Sequence, residues 1–169
     1  MERDFGGTIL KILGEHFYIE TEVWGEHFSG ARLRIDAIVK PKDISNWKNP
    51  NVCFGIEFKA KEKLKDTKHK TQWISQCIDY ANTKWDGYGY IYIFSCPSIF
   101  ENVGDVVKGD PWLWNRILTN MGVGRLDFNP YYGLTFYLKD SHRIWSQHSG
   151  VASGSYWSLK RKFGRGGNV

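Results

Sequence analysis

Glu57 and Lys59 stand two residues apart inside VCFGIEFKAKE (residues 52–62), an otherwise apolar run. In an extended strand Val52, Phe54, Ile56, Phe58 and Ala60 share one face, and Cys53, Gly55, Glu57, Lys59 and Lys61 the other. Asp36 lies in RLRIDAIV (32–39), where it alternates with the apolar residues in the same way. Neighbouring strands would therefore put Asp36, Glu57 and Lys59 on one surface. Two carboxylates held close together repel unless a cation sits between them, and Mg²⁺ accepts such oxygen ligands with water completing its shell. A cation held this way can bind a phosphate oxygen and acidify a coordinated water, while an ammonium beside it assists the attack or steadies the pentavalent phosphate. That chemistry is phosphodiester hydrolysis. The plainer alternative is a surface ion-pair cluster on an open sheet face.

The elements that must position these residues read as an α/β chain. A helix is predicted over residues 2 to about 15, with Ile9, Ile12 and Leu13 on one side. Strands follow at 17–23 and 32–39, separated by WGEHFSGA as a turn or loop. In the second strand Leu33, Ile35, Ala37 and Val39 face one way, and Arg34, Asp36 and Ile38 the other. KPKDISNWKNPN reads as a loop before the third strand, and the lysine-rich KEKLKDTKHK leads into a helix near 67–84. Ile74, Ile78, Ala81 and Trp85 mark one side of that helix; Gln72, Gln76 and Tyr80 lie roughly opposite. YGYIYIFSCP (88–97) is apolar enough for a central strand. A helix over 111–120 starts at Pro111, GVGRLDF supplies a strand, and GLTFYLKDSHRIWSQ supplies a hairpin turning near 139–141. One domain is expected over 1–148, built around a central mixed sheet flanked by helices, with a flexible basic tail over 149–169.

Composition narrows the class. At 169 residues the chain is long enough for one real core. Hydrophobic residues make up 41% and charged residues 24%, with no apolar run approaching the roughly 18 residues of a membrane span. The start, MERDFGGTIL, lacks the basic-then-apolar order of a secretory leader, so a cytoplasmic protein with no membrane partner is expected. Cys53, Cys77 and Cys96 are widely separated and read as small buried hydrophobes, and the five histidines show no metal-ligand spacing. The net charge of +5 points to a polyanionic partner, and among the 16% aromatic residues a few are candidates for stacking on unpaired bases.

RLRIDAIV followed by GIEFKAK resembles the D…ExK signature of the PD-(D/E)xK nuclease superfamily, and Gln76 and Tyr80 in QCIDY resemble the QxxxY motif of its RecB-like branch. The order of elements over residues 2–97 is similar to that superfamily's αβββαβ core, to which this chain adds a C-terminal helix and strands. The resemblance implies a restriction-endonuclease-like fold and a Mg²⁺-dependent deoxyribonuclease, with Mn²⁺ able to substitute and DNA, single strands included, as partner. It implies that Asp36 and Glu57 bind the metal, that Lys59 assists the chemistry, and that Gln76 and Tyr80 organise the site and contact DNA. The first-helix carboxylate of the family is matched best by Glu2, with Glu15 the alternative. Ile35 stands where the family often has proline. The four-cysteine iron–sulfur cluster of the CRISPR-associated members has no counterpart here.

Exo- and endonuclease readings both stay open, as do a junction-resolving or restriction-type enzyme and a binding module on the same fold that no longer cleaves. Lys61 and Lys63 beside the strand, and Lys160, Arg161 and Lys162 in the tail, are candidate phosphate contacts; a solvated loop and a disordered tail are the alternatives. The compact size would suit a viral or mobile-element gene acting in the host cytoplasm.

Overall fold

The structure, a computed structural model, describes residues 2–59, 67–96, 117–138, 142–152, 162–163 and 166–168. Helix α1 (Glu2–Leu13) precedes strands β1 (Phe17–His27), β2 (Arg32–Pro41) and β3 (Phe54–Phe58). Helix α2 (Thr67–Ala81) leads to β4 (Thr83–Trp85) and β5 (Tyr92–Cys96). Then come β6 (Val123–Asn129), β7 (Gly133–Leu138), β8 (His142–Ser146) and β9 (Gly150–Val151), with β10 (Lys162–Phe163) and β11 (Gly166–Asn168) pairing with each other. One nine-stranded sheet runs β4-β1-β2-β3-β5-β6-β7-β8-β9. It is mixed: β3, β5 and β6 are mutually parallel, and the remaining neighbours are antiparallel. The fold is therefore α/β around a mixed sheet, as the sequence predicts. It is also richer in strand than the expected core, a curled half-barrel rather than a clear restriction-endonuclease core.

The sheet is packed on both faces. Leu13 of α1, with Ile9, Leu10 and Ile12, joins Phe54, Ile56 and Phe58 of β3 and Phe94 of β5 on one face. Phe136 is the centre of that core, its ring within 6 Å of those of Phe17, Phe54, Phe94 and Trp145. On the other face Trp73, Cys77, Tyr80 and Ala81 of α2 cover Ile35, Ile38, Ile91, Ile93 and Val123. Every residue of β3 and β5 is buried, the pattern of parallel strands covered on both sides. Glu57 sits inside that pattern.

β1 and β2 depart from plain alternation at one place. Their pairing runs Thr21↔Ala37 and then Val23↔Ile35, leaving Glu22 and Asp36 out of the ladder, and Glu22 has φ 54°. The consequence is visible in the cores. Phe17, Ile19, Ala37 and Val39 pack on the α1 face, whereas Val23, Ile35 and Leu33 pack on the α2 face. Leu33, Ile35, Ala37 and Val39 thus do not share one face, because an extra residue in each strand reverses which side the next residue takes.

Other boundaries also shift. β1 continues to His27 through the segment read as a loop, since Gly25 is buried where a Cβ would meet Thr83 Cγ2 and Trp85 Cε3 at 2.7 Å. α2 ends at Ala81, where Asn82 Nδ2 donates to the carbonyl of Ile78 at 2.9 Å, and Trp85 belongs to β4. The predicted helix over 111–120 is described only as a helical turn at 117–120. The sheet runs past the 149 boundary: β9 pairs with β8, and Ala152 N donates to Ile144 O at 2.8 Å. Lys61, Lys63, Lys160 and Arg161 lie outside the described residues, as does the side chain of Lys162.

Candidate active site

Asp36 is exposed because the ladder skips it. The last β2–β3 pair is Ala37↔Ile56, and beyond it the Asp36 carboxylate replaces a backbone acceptor, taking the N–H of Phe58 at 2.8 Å. This bond ties Asp36 to the residue after Glu57. An acidic side chain doing the work of a ladder carbonyl is a local solution that only an irregular strand needs.

Glu57 points from β3 toward α2 and is 5% exposed. Its Oε1 accepts from Gln76 Nε2 at 2.9 Å, and the same amide nitrogen donates to Tyr80 Oη at 2.8 Å. Tyr80 in turn donates to the carbonyl of Arg34 at 2.8 Å, and Lys59 Nζ donates to Gln76 Oε1 at 3.4 Å. The Gln76 amide is therefore used at both ends, which fixes its orientation and makes it the junction between carboxylate, ammonium and phenol. Gln76 and Tyr80 do not lie opposite the packed side of α2, as the helix spacing suggested. The packed stripe is Trp73, Cys77, Tyr80 and Ala81, and Gln76 reaches into the sheet at its edge.

Burial, with the Asp36 charge adding to it and Lys59 opposing both, pushes the Glu57 carboxyl up to about 8. Burial also lifts the Tyr80 phenol to about 12, so it stays a hydrogen-bond donor at neutral pH. Because the folded protein holds the Glu57 proton more tightly than the unfolded chain, this group's contribution is full below the ordinary value near 4.5. It is lost as pH rises through about 8, by on the order of several kcal/mol. Melted without divalent ions between pH 5 and pH 9, the wild type is expected to lose stability relative to Glu57→Gln. Parallel curves would mean that Glu57 titrates as an ordinary surface carboxylate.

A divalent cation fits these groups. Glu57 Oε2 is buried and has no hydrogen-bond partner among the described residues, so one hard oxygen is left over beside a second carboxylate. Asp36 and Glu57 form a pair, and no group of three or more His, Cys, Asp or Glu side chains placed to hold a metal ion occurs among the described residues. Glu2 opens α1, whose first turn covers Phe58: Phe5 meets that ring edge-on at 6.5 Å, and Gly6 lies against it. The Glu2 side chain lies outside the described residues. Glu15 is exposed beyond the other end of α1.

The structure thus brings together Asp36, Glu57, Lys59, Gln76 and Tyr80. It adds groups that the sequence reading passed over. Along the face that Glu57 presents, register places Ser95 beside it, Arg125 beside Ser95 and Tyr137 beside Arg125. Arg125 stacks 4.5 Å over the Tyr137 ring and pairs with Asp127 at 2.9 Å. An arginine inside the apolar GVGRLDF was the available signal. The part played by the Arg34 carbonyl had none, since its neighbours depend on the skipped pair. No helix among the described residues is long and apolar enough to cross a membrane. Comparison with family models, with curated proteins and with solved structures finds no match to this chain, so its side chains carry the functional reading.

Proposed function

We propose that the chain is a Mg²⁺-dependent deoxyribonuclease of PD-(D/E)xK type, with Asp36 and Glu57 as metal ligands. The observation that carries this is the buried Glu57 with its unused Oε2, joined through Gln76 to both Lys59 and Tyr80. A surface ion-pair cluster would leave these carboxylates solvated. Here one is buried at a cost that folding alone does not require.

When bound, a hard divalent cation supplies positive charge to a phosphate oxygen and acidifies a coordinated water. The protein's own groups do the rest. Gln76 holds Glu57 in place and presents its carbonyl oxygen to Lys59, so the ammonium is steered rather than left to sample its four-carbon reach. Lys59 then stabilises charge at the attacking water or at the phosphorane. Tyr80 locks α2 to β2 through the Arg34 carbonyl and so fixes the distance between the helix and the two carboxylates.

The test incubates purified protein with circular single-stranded, circular duplex and linear duplex DNA, with Mg²⁺ and with chelator. Cleavage only with Mg²⁺ is expected. Cut circles would assign endonuclease action, and attack confined to linear DNA exonuclease action. Binding of DNA without cleavage under Mg²⁺ or Mn²⁺ would replace this reading with that of a binding module.

A further inference from the structure

β6 runs on from its last pairing with β5, Ser95↔Arg125, to Asn129, and residues 130–132 then turn the chain into β7. Because β6 is parallel to β5 and β5 to β3, this turn projects from the same end of the sheet as Lys59. Register puts Phe128 two strands across from Glu57 and three residues further along, about 10 Å in each direction, with its ring on the α1 face of the sheet, opposite the face Glu57 presents. The turn is apolar where turns are usually polar: Phe128 is 70% exposed, Tyr131 84% and Tyr132 38%.

The backbone that carries these rings is held in place. Asn129 Oδ1 accepts the N–H groups of Tyr131 at 2.8 Å and Tyr132 at 3.2 Å. His148 N donates to the Tyr132 carbonyl at 3.1 Å, and the Arg143 guanidinium lies 4.1 Å over the Tyr132 ring. A hydrogen-bonded turn carrying three exposed aromatic residues within five positions and a guanidinium stacked on one of them, in a chain of net charge +5, matches a ligand with flat faces and negative charge. Unpaired nucleotides offer both, whereas a duplex keeps its base faces inside its own stack.

We propose that the β6–β7 turn is a base-stacking platform for single-stranded nucleic acid. As a guide that feeds an unpaired strand to the Glu57 site it rests on the nuclease reading above; the stacking itself does not.

The experiment uses the full chain in EDTA, so that no cleavage intervenes, and reads fluorescence anisotropy of labelled oligo(dT) and of a duplex of equal length. Phe128→Ala/Tyr131→Ala is expected to bind oligo(dT) at least about tenfold more weakly, with duplex affinity within about twofold of wild type. Tyr131→Ala alone should show part of the loss, and Tyr131→Trp should keep wild-type affinity. The substituted side chains are exposed, and an unchanged melting temperature checks the fold. Unchanged oligo(dT) affinity in the double variant, an equal loss on duplex, or no binding of oligo(dT) by wild type would each overturn the platform. So would a wild-type dimer that the double variant converts to monomer, since the rings would then close on a second copy of the chain. If wild type binds oligo(dT) in the expected way yet cleaves nothing under Mg²⁺, the platform stands and the nuclease reading fails. If the double variant still cleaves linear duplex DNA but binds oligo(dT) like wild type, the reverse holds.

Discussion

Glu57→Gln is expected to lose Mg²⁺-dependent cleavage by about a thousandfold or more, roughly 4 kcal/mol of transition-state stabilisation. It should also lose the rise in melting temperature expected of the wild type with Mg²⁺ by mass action. The substitution keeps an oxygen for Gln76 to donate to, so the network of Gln76, Tyr80 and the Arg34 carbonyl stays intact. Without metal the variant should be at least as stable as wild type at neutral pH, because it removes a carboxylate whose charging is opposed by burial. Loss of activity with gain of metal-free stability separates a ligand from a structural residue. Asp36→Asn should abolish the metal shift as well, while its side-chain oxygen can still accept from Phe58 N. A wild type whose melting temperature ignores both Mg²⁺ and Mn²⁺ would sink the metal site.

Lys59→Met should behave in the opposite way toward metal. Methionine keeps most of the apolar stem and leaves the backbone bond from Lys59 N to the Cys96 carbonyl, 3.0 Å, untouched. Removing a positive charge beside two carboxylates should slightly strengthen Mg²⁺ binding. Cleavage should nonetheless slow by at least about a hundredfold, the loss falling where negative charge develops. A titration of the melting temperature with Mg²⁺, set beside single-turnover cleavage, measures both. Wild-type cleavage by Lys59→Met would reduce the lysine to a neighbour of Gln76.

Much of this site was legible because its members obey short-range rules. Glu57 and Lys59 are two apart in a strand, and Gln76 and Tyr80 four apart on a helix, so each pair shares a face whatever the tertiary fold. Which face was harder to see for α2. Counting Tyr80 as polar sent it away from the core, yet only its hydroxyl needs a partner and the ring packs edge-on against Trp85 at 5.4 Å. Trp85, four residues past Ala81, mimicked another helical turn, although the chain had already turned into β4. Gly25 was read as a loop residue when it marks close approach of β4 to β1. The sheet beyond β5 was read as strands without a register, since long-range pairing leaves no local periodic trace. The exposed rings of residues 128–132 could be counted in the sequence but not placed at the Lys59 end.

Glu22 and Asp36 invite one last consideration, of what folding would lose without them. Removing both would join Thr21 to Val23 and Ile35 to Ala37, and the two strands would then pair without interruption. Thr21 and Ala37 would keep their side of the sheet and Val23 and Ile35 theirs, but 23–27 and 32–35 would move about one residue along β3 and away from the Tyr80 bond to the Arg34 carbonyl. The ladder thus skips two residues, one per strand, one of them held at an unfavourable backbone angle. What this yields is a side-chain carboxylate beside Glu57 that closes the ladder by taking the Phe58 N–H, so one irregular pair serves the sheet and the candidate site together.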